Sequence, residues 1–508
     1  MRTKTGMLLT VALGATILLS GCEKYLNLDN PNQPTDATFW KTEAQFNQAI
    51  TSCYTPLKVW NGGYYGTRGV MVRNSRADDI IYTADIVDIY RLHRFTNDAS
   101  NSVIYNIYYQ LYNLIYRTNA VLQHLETVEL SPEFEKGVAG QAYFLRGLAY
   151  FNLAKEFGAV PLRKEASQDL KTFTLKKSSQ AEVYDYAGTS FQEAAKLLPM
   201  KALPGKPSKG AALAFLGKLY IYTEQWALAE TTLSQLTKAP YTYKLMDDYS
   251  WNFDEEHEYN AESLFEIIFD AVGGTDMWDN GEGANSSQGT SMAVEYSTKT
   301  LGGWSEANVS KNMMDIFLAE KREDGSYDLR ATASVAWDYP GCMYYKKPFL
   351  DPKNVNETEA KLYWFLKYQN SKTRTEDVEA VPSYINDRTF RYADVLLLLA
   401  EADLNQGKID DAIGFIDQVR TRGSNLPKYS GAKTATAVKA ELVRQRAIEF
   451  FREGERFYDL RRWGMLKDAI RAQDPQRADQ LSEKFYYLPL PTKEIQTNLA
   501  AEQSEFWK

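Results

Sequence analysis

Two small residues twelve positions apart, Gly217 and Ala229, constrain this chain more than any other feature. They lie in a stretch, 211 to 236, whose apolar residues recur at helical spacing. Leu216, Gly217 and Tyr220 fall on one helix, a turn follows at 224 to 226, and Ala229, Leu233 and Leu236 fall on the next. A side chain no larger than a methyl on each helix lets the two axes approach closely, so the segment reads as an antiparallel helical hairpin. The spacing returns at Ala400 and Ala412, with Gly407 in the turn and Ile416 where Leu233 stood. Asp403 occupies a position that wants an aromatic residue or leucine, so this second copy is degenerate.

The surrounding sequence extends the pattern. Ile104, Ile107, Tyr108, Leu111, Leu114 and Ile115 mark one buried helical face. A second helix is expected from Pro132, with Ser131 as its N-cap, through Ala142, Leu145, Ala149 and Leu153 to a stop at Gly158. With antiparallel pairs over 102–157 and 436–473, about four helical hairpins result. The expected fold is all-α, a helical-repeat scaffold resembling the tetratricopeptide pattern. Between about 250 and 385 the helical period is lost and Gly, Asn, Ser, Asp, Trp and Tyr take over. Such a long irregular excursion in a compact body usually carries function, here with minor β structure at 263–269 and a helix at 313–320.

Arg2 and Lys4 precede an apolar run to Leu19 and then Ser20-Gly21-Cys22, a secretory signal whose first mature residue is a cysteine. A cysteine there resembles the lipobox of bacterial lipoproteins, so Cys22 is the expected lipidation site. The run is shorter than the roughly 20 residues a membrane span needs. Loss of residues 1–21 moves the formal charge from −8 to −10, which argues against nucleic acid and leaves membrane attachment to the acyl chains. The expected organisation is 1–21 signal peptide, 22–40 lipidated tether, 41–250 N-terminal helical-repeat region, 251–385 binding excursion and 386–508 C-terminal helical region. Cys53 and Cys342 have no Cys or His neighbours at metal spacing and read as two buried thiols or one disulfide.

Chemistry is sparse. The three histidines, His93, His124 and His257, form no metal-helix or nucleophile motif. The acids Asp78-Asp79 and Asp254-Glu255-Glu256 read as solvated charge or helix starts rather than a glycosidase pair. Asp276, Asp279 and Glu282 form a candidate oxygen set for a structural Ca²⁺, out of EF-hand register; no other cofactor is expected. The alternating charges from Arg444 to Arg462 read as ion pairs locking helices together. Aromatic rings in irregular segments are the best ligand candidates, because a ring face suits a sugar's apolar C–H surface. They are Trp60 and Tyr65 beside Gly62-Gly63, and Trp278, Trp304, Trp337 and Tyr339 in the excursion. Asn74 and Asp79, beyond an expected strand, are candidate hydroxyl partners.

Across some 480 residues the chain resembles the SusD/RagB family of Bacteroidetes surface lipoproteins. Tyr25-Leu26-Asn27-Leu28-Asp29, Asn119-Ala120-Val121-Leu122 and Phe144-Leu145-Arg146-Gly147 carry the N-terminal part of the resemblance. Phe390-Arg391-Tyr392-Ala393-Asp394, Val419-Arg420-Thr421-Arg422, Glu453-Gly454-Glu455-Arg456, Asp459-Leu460-Arg461-Arg462-Trp463-Gly464 and Tyr487-Leu488-Pro489-Leu490-Pro491 carry the C-terminal part. The family's usual Asn-Pro near the end is Asn498-Leu499 here. The resemblance implies a non-catalytic binding lid on a SusC-type TonB-dependent outer-membrane transporter, lipid-anchored and facing the cell exterior. Its ligand would be an oligosaccharide or a peptide; a purely protein-scaffolding role is the remaining alternative.

Overall fold

The computed structural model describes residues 39–166, 174–270, 288–369 and 382–508. The chain divides into an N-terminal unit ending at Phe46 and a main body from Asn47. In the first, Trp40 packs edge-on against Phe39 and Phe46, at 5.1 and 5.2 Å between ring centres.

Helices dominate the main body. The ladder runs through α1 (Ser102–Leu125), α2 (Pro132–Phe157), α3 (Gln180–Leu197), α4 (Lys209–Tyr222) and α5 (Trp226–Leu233). Asn101 caps α1 by accepting from the backbone N–H groups of Val103 and Ile104, and Ser179 and Glu182 form a capping box on α3. Pro132 opens α2 as expected and Gly158, at φ +71°, stops it, although the Ser131 side chain makes no cap bond. The α4–α5 hairpin forms because Gly217 has no side chain: a Cβ there would stand 2.4 Å from the Leu233 side chain. Ala400 and Ala412 are fully buried on α6 (Tyr392–Asn405) and α7 (Ile409–Arg420), with Gly407 at φ +78° between them. α6 and α7 both pack on α8 (Ala435–Glu449).

The expected pair over 436–473 does not form as two helices. After α8 the chain turns at Arg452 (φ +63°) and Gly454 (φ +78°), then at Gly464 (φ +69°), giving short helices Arg456–Arg462 and Leu466–Gln473. Left-handed residues cannot continue an α-helix, so the single expected partner is cut in two.

Strands among the described residues form five two-stranded antiparallel pairs. The longest joins Ser263–Ile267 to Asp387–Arg391, closing the excursion against the scaffold at both ends. Lys311–Leu318 is helical as expected. Cys53 and Cys342 are both buried free thiols.

Candidate functional site

The candidate site begins at a strained turn. Met343–Tyr344 pairs with Lys347–Pro348, joined by Tyr345 and Lys346 in the left-handed region at φ +48° and +62°. A two-residue hairpin needs positive φ at both central positions, which asparagine and glycine supply cheaply and tyrosine does not. Burial compensates. The Tyr345 ring sits in a cluster with Tyr344, Phe349 and Trp364, and its Oη donates to Gln369 Oε1 at 2.9 Å. The turn thereby holds Met343 and Lys346 at the edge of a depression of about 580 Å³, walled also by Tyr339, Phe253, Asp254 and Thr332. Behind Tyr339 the Trp337 ring lies 4.2 Å away between centres and Tyr327 stands edge-on at 5.6 Å. A ring packed this way from behind is fixed in orientation before any ligand arrives.

A second depression of about 680 Å³ shares Ser250, Thr332 and Ala333 with the first, so the two form one groove. Trp251 lines it, on a short helix Tyr249–Asn252 whose cap Asp248 accepts from the Ser250 N–H. The half-exposed indole lies flat on His257, 4.5 Å away with 4° between planes, and His257 Nδ1 bonds Asp254 Oδ1 at 2.9 Å. Asp248 and Asn425 line the same depression. A braced ring in each depression, with carboxylates, an amide and hydroxyls along the groove, suits a chain of sugars, apolar on its faces and polar at its rims.

Under the groove the charges of 444–462 are buried rather than solvated. Glu449 accepts from Arg391 at 2.9 Å and Arg422 at 2.8 Å, with Arg330 at 3.4 Å. Burial raises the Glu449 pKa, but Arg422, Arg391 and Arg330 outweigh it and hold the carboxyl below its ordinary range. Arg446 bridges Asp394 and Asp459 at 2.7 Å each. The network ties α6 and α8 to the groove floor, because Arg330 and Arg422 line the second depression.

Of the candidates drawn from sequence, Tyr339 lines the groove and Trp337 braces it, buried at 6% exposure rather than displayed. Trp304 is half-buried against the same aromatic cluster as Tyr344. Trp60 and the excursion do meet: its Nε1 donates to Ser291 Oγ at 2.8 Å, and the Arg68 guanidinium covers its ring at 4.5 Å. Tyr65 is buried, accepting from Asn152 and covered by Arg73 at 4.8 Å. Asn74 and Asp79 belong to the scaffold. The residues before them form helix Thr67–Ser75 instead of a strand, since three apolar residues, 70 to 72, show no period by themselves. Asn74 donates to Val70 O and accepts from the Gly454 N–H, tying that helix to the turn after α8. Asp78 and Asp79 are not solvated: both are buried, Asp78 pairs with Arg456 at 2.8 Å, and burial beside Asp78 raises Asp79 to about 7. Cys22, Asp276, Trp278, Asp279 and Glu282 lie outside the described residues.

Sequence reasoning missed Trp251, Asp248 and Asn425. Trp251 carried a readable signal, a lone tryptophan among acids where helical periodicity ends. Asn425 carried none, because only folding brings the segment after α7 beside it.

A helical-repeat body bearing an open groove with a braced ring in each of its two depressions defines a binding protein. The chain belongs to the SusD family and is a SusD-like surface glycan-binding protein associated with the outer membrane, non-catalytic as that family is. Residues 24–221 match the family model described as starch-binding associating with outer membrane, and residues 261–507 match that described as SusD family. The crystal structure of a SusD superfamily protein from Bacteroides vulgatus ATCC 8482 is 48% identical, covers 92% of this chain and 100% of that one, and superposes with a TM-score of 0.86. SusD-like protein P38 of Formosa agariphila is 25% identical over 494 residues, 89% of this chain and 90% of its own. The starch-binding protein SusD of Bacteroides thetaiotaomicron is 24% identical over 410 residues, 72% of each chain.

Proposed function

We propose that this protein captures oligosaccharides in the groove between Tyr339 and Trp251 and delivers them to a SusC-type TonB-dependent transporter. Acyl chains on Cys22 hold it in the outer leaflet, facing the cell exterior. The observation that carries the reading is the pair of braced rings. Tyr339 on Trp337 and Trp251 on His257 are positioned without ligand, so stacking on a sugar chain costs little ordering entropy. The family's starch-binding description and the SusD relative's name support a glucan as the sugar class. A lipid tether supports delivery, because two partners held on one membrane meet at high effective concentration.

Calorimetric titration of the protein against α-glucan, β-glucan and peptide panels tests this. A glycan should bind, and Trp251→Ala and Tyr339→Ala should each weaken it by about 1–3 kcal/mol, the scale of a lost aromatic anchor. Peptide binding without glycan binding, or glycan binding indifferent to both substitutions, refutes the reading.

A further inference from the structure

The cations that line the groove's second depression are neutralised from beneath. Arg330 pairs with Asp328 at 2.8 Å and reaches Glu449 at 3.4 Å, while Arg422 pairs with Glu449 at 2.8 Å and reaches Glu262 at 3.7 Å. Arg391 and Lys367, buried with them, share Glu262, Glu449 and Glu453. The four cations face four carboxylates, Asp328, Glu262, Glu449 and Glu453, so this buried network carries no net formal charge.

The other charged residues on that wall, Asp247 and Asp248, are exposed acids, three and four residues before Trp251. Both are held in place. Asp248 Oδ1 accepts from the Ser250 N–H at 2.8 Å and from Ser250 Oγ at 2.6 Å. At Asp247 the chain is met by the turn after α7: a Cβ on Gly423 would stand 2.2 Å from Asp247 O, so only a glycine, here at φ +55°, lets the two segments close around the depression. Lys346 stands in the other depression, where Asp254 already holds His257. A cleft whose exposed charges share one sign focuses its field, and the chain's formal charge of −8 adds to it. A sugar hydroxyl donates to a carboxylate, whereas a sugar carboxylate meets it as a like charge.

We propose that Asp247 and Asp248 determine the groove's specificity: they accept hydroxyls of the sugar stacked on Trp251 and reject a uronic acid there, so the ligand is a glycan uncharged at that position. The inference rests on the glycan reading above and narrows its substrate class. Rejection by a placed like charge is how a site discriminates between two chains of the same shape.

The test is calorimetric titration of the full chain in detergent with an α- and a β-gluco-oligosaccharide, each set beside the same chain oxidised at C6 to glucuronate. At low ionic strength a neutral chain should bind at least about tenfold more tightly than its oxidised counterpart. That ratio should shrink in roughly 1 M salt, where the screening length is about 3 Å. Combining Asp247→Asn with Asp248→Asn should bring it within about threefold, whatever happens to neutral binding, because the amides keep an acceptor oxygen and the helix cap but lose the charge. Asp247→Asn alone, at an exposed side chain, should narrow the ratio part-way and stands in if the double variant does not fold. Oxidised chains that bind as tightly as neutral ones, or more tightly, overturn the inference and leave the glycan reading intact. So does a ratio that survives the variants, since acids with a merely structural role would lower both affinities together. Absence of binding to any saccharide, with peptides bound, overturns both readings.

Discussion

Placing one methyl group at each of two helical glycines should move stability in opposite directions. On α4, a Cβ at Gly217 would stand 2.4 Å from Leu233 Cδ2 and Cγ, far inside contact distance, and Leu233 is fully buried. Overpacking of this kind costs about 1–3 kcal/mol, against a helix-propensity gain of about 1 kcal/mol for alanine over glycine. Gly217→Ala should therefore destabilise by about 1 kcal/mol net. On α7, a Cβ at exposed Gly414 meets nothing within 4 Å, so Gly414→Ala retains the propensity gain and should stabilise by about 0.5–1 kcal/mol. Leu233→Ala should cost about 2–5 kcal/mol alone, yet remove the Gly217→Ala penalty when the two are combined. Urea unfolding followed by far-ultraviolet ellipticity reads all four variants, with midpoints compared at unchanged slope. If Gly217→Ala raises the midpoint as Gly414→Ala does, α4 and α5 do not approach closely, and the hairpin argument that organises the scaffold is wrong.

Two further outcomes follow from the buried charges. Glu449→Ala should destabilise by about 3–5 kcal/mol in the same unfolding measurement, because it leaves Arg391 and Arg422 without their shared carboxylate; a cost under about 1 kcal/mol would show that the network is not holding the helices. Asp459 is raised by burial but lowered further by Arg446 and Arg462, to about 2 from 3.8. Its folded pKa is depressed, so its stabilising contribution is complete above pH 3.8 and is lost as pH falls toward 2. Asp459→Asn should flatten acid unfolding across that window, and an unchanged acid limb would remove Asp459 from the account.

Local rules made much of the scaffold legible. Gly158 ended α2 where the sequence placed a stop, and Gly217 and Ala400 marked close helix pairs, because caps and small-residue contacts act over a few residues of one chain segment. The charges at 444–462 were legible as pairs, but not as buried ones, since burial depends on what other segments cover them. The expected helix pair over 436–473 failed at Gly464, whose left-handed backbone at φ +69° cuts the second helix in two.

The site divides in the same way. Aromatic residues in an irregular stretch were readable as candidates, and Tyr339 lines the groove; which rings are displayed and which serve as braces was not readable. Trp337 and Tyr339 are two residues apart and equally aromatic, and only packing puts one behind the other. Periodicity, caps and short motifs account for the helical scaffold, the excursion and, through Cys22, an expected address. The tertiary fold brings Ser250, Thr332 and Asn425 into one groove. Those are contacts between distant segments, set by the balance of burial and charge over the whole body, and no local pattern encodes them.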